Sequence, residues 1–542
     1  VNAKELAQQA DNLYSKRTQL LLLWQEIALN FYPERADFTY RRVVGQEFAV
    51  NLATSYPILA RRDLGNSLGT MLRPTAKSWF HPRVAHEGPK VDIEARRWLE
   101  WAEGVQRRAM YDRASLFTRA TKEGDHDFSA FGQCVISIEL NKNADTLLYR
   151  CWHLRDVAWA ENAEGNVGQI FRKWKPTSRN LCNTFPGRCH PNVEQVALKD
   201  PFAEVECRHM VVESDMYDGK FRTPYVSIYY DQDHDKVLEE VGIYNKFYVI
   251  PRWTTVSGSQ YGYSPATVAA LPDARLLQAM TATILEAGEK FTNPPMVAVQ
   301  EAIRGDVAIY AGGITWVDRD YDERLGEVLR PLTQDRSGMP MGRDMQADTR
   351  SMIAEAFFLN KLSMSNPDRG KAEMTAFEVG QQVQEYIRNA LPIFEPMEMD
   401  YNGAVCEMTF DTLMRAGAFG SPFNMPKTLR GSEIEFHFES PLHDAIESEK
   451  GAKLQQAKMM MADAIALDPS NADVLDAQVA LREALIGIGV PALWVRSEDE
   501  VAQRAQARQQ QQNVQQTLAN VQQGAEAAKA LGEASQAMRP AA

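Results

Sequence analysis

The chain has 542 residues, 44% hydrophobic and 24% charged, with a formal net charge of −13. One core serves about 250–300 residues, so more than one packed unit is expected. The negative balance argues against a protein that grips nucleic acid through a broad basic face, though not against a surface past which a polyanion slides.

Leu6, Leu13, Leu20 and Ile27 recur every seven residues, with Trp24 and Phe31 beside them. This spacing predicts an amphipathic helix of several turns that Pro33 stops. A second helix is predicted from Pro57, a favourable first-turn residue, to Leu72, before Pro74. A third covers about Ile93 to Tyr111 and buries Trp98, Leu99 and Val105. From Phe131 to Ile250 the pattern becomes that of strands. Cys134–Leu140 and Val167–Trp174 are two, and Tyr225–Tyr230 with Val237–Ile250 form a hairpin around the polar turn Asp231–Asp235.

Helix resumes after Ser264-Pro265, with Leu276, Leu277, Met280, Ile284 and Leu285 on a stripe between Asp273 and Phe291. Asn293-Pro294-Pro295 breaks it. A β-rich insert containing Gly312, Gly313 and Trp316 follows, then a second long helix from about Asp344 to Leu362. Ser363–Lys371 reads as a polar loop. Thr375 and Glu378 form a capping box that opens the next helix. Residues 501–542 hold 11 Gln and 12 Ala, favouring helix but offering little core. Their Val514, Leu518, Val521, Ala525 and Ala528 make a coiled-coil-like seam, which is expected to pack against copies of itself. The class is helix-rich α+β.

Leu20–Trp24, among the longest apolar runs, has five residues, whereas a membrane helix needs about 20. From Val1 onward no basic segment leads into an apolar one, so no signal peptide is expected. Cys134, Cys151, Cys182, Cys189, Cys207 and Cys406 are scattered without a CxxC pair, as reduced thiols of a cytoplasmic assembly would be.

Motifs for chemistry mostly dissolve on inspection. There is no GxxxxGK[ST] to cradle a triphosphate. Gly65-Asn-Ser67-Leu-Gly69 matches the GxSxG of serine hydrolases, but it falls inside a predicted helix and not on the strand-to-helix turn that exposes a nucleophile. Its expected role is to supply small residues where helices approach closely. Asp231, Asp233 and Asp235 imitate a calcium loop, yet Lys236 and Gly242 stand where glycine and glutamate are required. The nine histidines show no metal spacing. Glu239/Glu240 and Glu433/Glu435 read as solvated carboxylates, and no acid–base pair stands out. No catalytic residue, metal or cofactor is expected.

Five stretches, in order, resemble the head-to-tail connector (portal) family of podoviruses, the short-tailed bacteriophages. They are Arg61–Pro74 followed by Ser78-Trp79-Phe80; Pro251-Arg252-Trp253; Tyr261–Ala266 with Leu271-Pro272-Asp273; Asn293–Met296; and Met374–Val379. The family's usual arginine in the Tyr-Gly-Arg-Ser-Pro string is Tyr263 here. The resemblance covers about residues 10–500.

It implies a portal fold and a ring, of twelve subunits in the family, at one capsid vertex. The segments then map as a wing (1–262 and 374–440), a first stem helix (263–293), a clip (294–343), a second stem helix (344–362), a channel loop (363–373), a crown (441–500) and a helical barrel (501–542). It implies a channel for double-stranded DNA during packaging, retention and ejection. Terminase, major capsid and scaffolding proteins, and tail or adaptor proteins would be the partners. The setting would be the virion, with host cytoplasm during assembly and no membrane insertion. Lys361, Arg369 and Lys371, at or beside the channel loop, would form cationic rings; the alternative is ordinary solvated charge. Tyr310, Ile314 and Trp316 are apolar docking candidates on the clip, or subunit contacts. Two rival readings are another virion structural protein, such as a tail adaptor or internal channel protein, and a hydrolase using Ser67.

Overall fold

The computed structural model describes residues 1–298, apart from 44, 48–49, 51, 76–77, 86–92 and 219–220, together with 303, 316, 329–331, 338–359, 397–421, 424–438 and isolated positions from 481 to 515. The chain divides into two compact units, one of residues 1–79 and 106–418, the other of 80–105 and 419–542.

The heptad-spaced leucines lie on two helices, α1 (Ala3–Lys16) and α2 (Thr18–Phe31), where the pattern predicts one. Asn2 opens α1 with a capping box shared with Glu5. Arg17 interrupts it because its buried guanidinium is drawn to the carbonyls of Leu154, Arg155 and Val157. The break sends Leu6 to one partner and Ile27 to another. α3 (Tyr56–Leu72) carries in its first turn the proline that predicted it, Pro57. In chain order come β1 (Phe80–Val84), α4 (Ile93–Met110) and α5 (Phe117–Phe131).

The strand region begins with β2 (Val135–Leu140), β3 (Leu147–Trp152), β4 (Val157–Glu161) and β5 (Val167–Trp174). Two helices interrupt it, α6 (Ser178–Thr184) and α7 (Pro191–Lys199). Thr177 and His190 cap them by accepting from the backbone N–H groups of Asn180 and Asn192. Then follow β6 (Cys207–Glu213), β7 (Tyr225–Asp231), β8 (Lys236–Ile243), β9 (Tyr248–Val249), β10 (Thr254–Thr255) and β11 (Gly262–Tyr263). The expected strand Val237–Ile250 is therefore two, parted where Phe247 takes a φ of +59°.

β4 to β8 form an antiparallel meander in sequence order, while β9 pairs with β2 in a separate sheet of order β3-β2-β9. The meander is covered on both faces. Ala3, Leu6, Ala7 and Ala10 of α1 pack on Phe171, Met210, Val212 and Ile228. Leu181, Phe185 and Val193 of α6 and α7 pack with Cys207 and Leu238. Burial of such side chains, at about 25 cal/mol per Å² of apolar surface, holds the layers together.

α8 (Pro265–Thr292) leads to β12 (Met296–Ala298), which pairs antiparallel with β13 (Leu329–Pro331); α9 (Gly338–Ala356) follows. A π-helical turn, Glu398–Gly403, runs into α10 (Ala404–Arg415) and completes the described part of the first unit. In the second unit β1 pairs antiparallel with β14 (Ile434–Phe438), bringing Phe80 opposite Phe438. Ala95 and Leu99 of α4 pack there with Leu429, and Trp98 tilts against Phe419 at 6.0 Å. His81 Nδ1 and Glu103 Oε2 lie 2.8 Å apart. Glu433 and Glu435 are exposed, as expected.

Candidate assembly face on the long helix pair

α8 is fixed at its start by small residues. Ser264 Oγ donates to the carbonyl of Ser129 at 2.7 Å, and Thr267 Oγ1 donates to that of Ala130 at 2.8 Å. The end of α5 is therefore bolted to the start of α8. Gly132 makes the junction possible. It has a φ of +73°, and a Cβ there would lie 2.0 Å from the carbonyl carbon of Tyr263. Farther on, Gln278 accepts from the N–H groups of Ala53 and Thr54 at 2.8 and 3.0 Å and donates to the Thr54 carbonyl at 2.9 Å. Ala266, Ala270, Leu271, Ala274 and Leu277 form the buried stripe.

Beyond Leu277, α9 supplies the packing. Gln346 Nε2 donates to Thr281 Oγ1 at 3.0 Å, and Gly342 lies close to Ile284, so the helices run antiparallel. α9 starts six residues before the expected Asp344 because Pro340 falls in its first turn, where its missing N–H costs nothing. It also ends sooner than the expected Leu362. Phe358 turns with a φ of +58°, and the buried Phe357 packs against Phe31 at 5.3 Å.

The outer surface of this pair is apolar in stripes. Val268 and Leu276 lie along one side of α8 and Leu285 on another; Met341, Met345 and Met352 line one side of α9, and all six are exposed. The alignment of the three methionines along α9 distinguishes them from scattered surface residues.

α3 and α5 meet through the GxSxG residues. A Cβ on Gly65 would lie 2.4 Å from His126 Nδ1, so the glycine permits the approach. Ser67 Oγ donates to the carbonyl of Asp63 at 2.8 Å inside a regular helix, which removes the hydrolase geometry. The aspartates of the 231–235 turn serve the hairpin. Asp231 Oδ1 accepts from the N–H groups of Asp233 and His234, and Asp235 Oδ1 from Tyr230. Among the described residues no cluster of metal-ligating side chains occurs.

Three consecutive residues of α5 each meet an arginine from elsewhere, a network with no sequence motif. Asp125 pairs with Arg73, His126 Nδ1 accepts from Arg61 Nη1 at 2.9 Å, and Asp127 takes two bonds from Arg35 at 3.0 and 2.6 Å. Burial first, then the Arg61 charge, depresses His126 to about 4.

Of the residues singled out in the sequence, Trp316 is exposed. Tyr310, Ile314, Lys361, Arg369 and Lys371 lie outside the described residues, as do most of the crown and barrel segments.

Residues 3–495 match the family described as bacteriophage head to tail connecting protein. The chain belongs to that family. One relative is the probable portal protein of Bordetella phage BPP-1, 23% identical over 540 residues that cover 96% of this chain and 93% of the relative. Another is the portal protein of Salmonella phage epsilon15, 23% identical over 552 residues, covering 98% and 95%. Among solved structures, the neck of an empty gene transfer agent particle shares 13% identity at a TM-score of 0.35, covering 83% of this chain and 96% of that one. The virion of a native gene transfer agent particle gives 11% at 0.34, covering 77% and 91%. Membership over nearly the whole chain makes it a head-to-tail connector, a portal-type protein of a phage virion.

Proposed function

We propose that this connector assembles side by side into a closed ring, of twelve copies, whose bore conducts double-stranded DNA during packaging, retention and ejection. The observation that carries the reading is the near full-length match to two phage portal proteins. The α8–α9 pair is the stem, the insert between these two helices is the clip, and 363–373 is the channel loop. The exposed stripes on the stem favour a heterologous contact, in which one face of a subunit meets a different face of the next. Residues 1–262 and 374–440 form the wing, 441–500 the crown and 501–542 the barrel.

The chemistry suits passage and not grip. B-DNA carries one charge per about 1.7 Å of axis, so a wall rich in Lys and Arg would act as a brake. A ring of chains at −13 each disfavours phosphate adhesion, within a screening distance of roughly 10 Å at 0.1 M salt. Lys361, Arg369 and Lys371 would centre the duplex as a few cationic rings. The clip, with Tyr310, Ile314 and Trp316, would dock terminase during filling and tail or adaptor proteins afterwards, while capsid and scaffolding proteins would hold the ring at its vertex. The role is structural and not catalytic.

Native mass measurement at micromolar concentration tests the proposal. A closed species near twelve chain masses is expected; a monomer under all solution conditions would refute it.

A further inference from the structure

A cleft of about 270 Å³ opens in the first unit where three stretches converge: the segment after the Pro33–Arg35 turn, the 155–156 turn, and the end of β5. They bring five cations and two carboxylates to its walls. We infer that this cleft is a binding site for a phosphate-type oxyanion, presented as free phosphate or as the phosphodiester of a nucleic acid.

Two carboxylates do not neutralise five cations, and with Glu206 at the margin counted against Lys175 two positive charges remain in excess. Arg155 donates to Asp37 Oδ2 at 3.0 Å and to Asp156 at 3.1 and 3.3 Å. Asp37 also meets His153 Nε2 at 2.6 Å. Arg41, Arg42, Lys173 and Lys175 complete the lining. Lys175 pairs with Glu206 at the margin. The Lys173 ammonium lies 4.1 Å from the centre of the Tyr14 ring, a neutral partner. Tyr14 is held in place by donating to the carbonyls of Asp156 at 2.9 Å and Phe171 at 2.8 Å.

The wall behind this ring adds charge. Arg17, 3% exposed, sits 4.8 Å from the Tyr14 ring and donates through its two terminal nitrogens to three backbone carbonyls, while its buried Nε has no hydrogen-bond partner. Among the described residues it has no carboxylate partner. Arg208, paired with Asp11, is 5.8 Å from the same ring. Burial first and then Arg208, with Arg17 behind it, lowers the affinity of Lys173 for its proton, while Asp11 and Asp156 oppose this. An anion in the cleft would relieve that repulsion. Guanidinium forks and ammonium groups in a concave site suit a tetrahedral oxyanion with several acceptor oxygens. On a chain of net charge −13, such a positive locus focuses anions.

The test is calorimetric titration of the full chain, at low salt, with inorganic phosphate and separately with a short DNA duplex. Lys173→Gln, Arg41→Gln and their double variant are compared with Lys290→Gln, a control on α8. Lys173 and Arg41 are exposed, so circular dichroism should be unchanged. One saturable site per chain is expected, weakened at least tenfold in the double variant and unaltered in the control. Phosphate that displaces duplex supports both sources; binding of only one ligand assigns the source. No saturable binding of either, or equal binding by the double variant, overturns the inference. Ring formation is not needed for the site, so it stands or falls apart from the portal reading.

Discussion

Asp125→Asn should be among the most damaging isosteric substitutions in the first unit. Arg73 and Asp125 face each other with side chains 5% and 4% exposed. Arg73 Nη1 also donates to Asn402 Oδ1 at 2.8 Å, and its guanidinium lies 4.9 Å from the centre of the Tyr401 ring. Asn402 in turn donates to the Leu72 carbonyl at 3.2 Å. This group ties α3, α5 and the π-helical turn together. Losing one partner of a buried ion pair costs about 3–5 kcal/mol, because the other charge stays buried. The bond to Asn402 survives in this variant, so about 3–4 kcal/mol is expected. Urea titration followed by near-ultraviolet circular dichroism would read the loss. Arg73→Met should also destabilise, and the double variant should cost less than the sum of the singles by about 1–3 kcal/mol. A loss below about 1 kcal/mol for Asp125→Asn, or strict additivity, would refute this account of the seam.

Gly132→Ala combines a left-handed backbone with a clash against the backbone at Tyr263, and should cost about 3 kcal/mol or more, read in the same titration. Acid should destabilise in two stages. His126, depressed to about 4, binds protons less readily in the folded chain, so stability falls as pH drops from about 6.5 to 4. Burial raises Asp37, but His153 and Arg155 outweigh it and hold the carboxyl at about 2, so its contribution, full above about 4, is lost from there down to 2. Burial also lowers His209 and His153, which share this stage, so His126→Gln, which keeps an acceptor for Arg61, should reduce it without abolishing it in a thermal-melt series against pH. Leu276→Glu with Met345→Glu should leave the circular dichroism intact and abolish higher-mass species in sedimentation. Neutralising Lys361, Arg369 and Lys371 should change DNA retention in packaged particles while sparing ring mass; unchanged retention would return them to ordinary surface charges.

What the sequence made legible is the punctuation. Pro57 and Pro265 mark the starts of α3 and α8, and the Asp231–Asp235 turn marks the β7–β8 hairpin. These are local effects of fixed φ and side-chain caps. The break at Arg17 was not legible, because it depends on three carbonyls well over a hundred residues away. Nor was the pairing of β1 with β14, whose partners are some 350 residues apart. Asp125-His126-Asp127 looks like a solvated charge run, and only the arrival of Arg73, Arg61 and Arg35 makes it a core feature. The cleft had one faint signal, the adjacent Arg41-Arg42, but its other cations come from β5 and the 155–156 turn. The stem stripe was read in part: Leu276 and Leu285 were picked out by period but stay exposed, since periodicity cannot say whether an apolar face is covered within the chain or by a neighbour.

Electron microscopy of the purified chain, viewed along the symmetry axis, tests the central claim most directly. The account predicts a closed ring with α8 and α9 side by side between neighbours and a bore wide enough for a B-form duplex. An assembly without a central opening, or with an opening too narrow for duplex DNA, would contradict it.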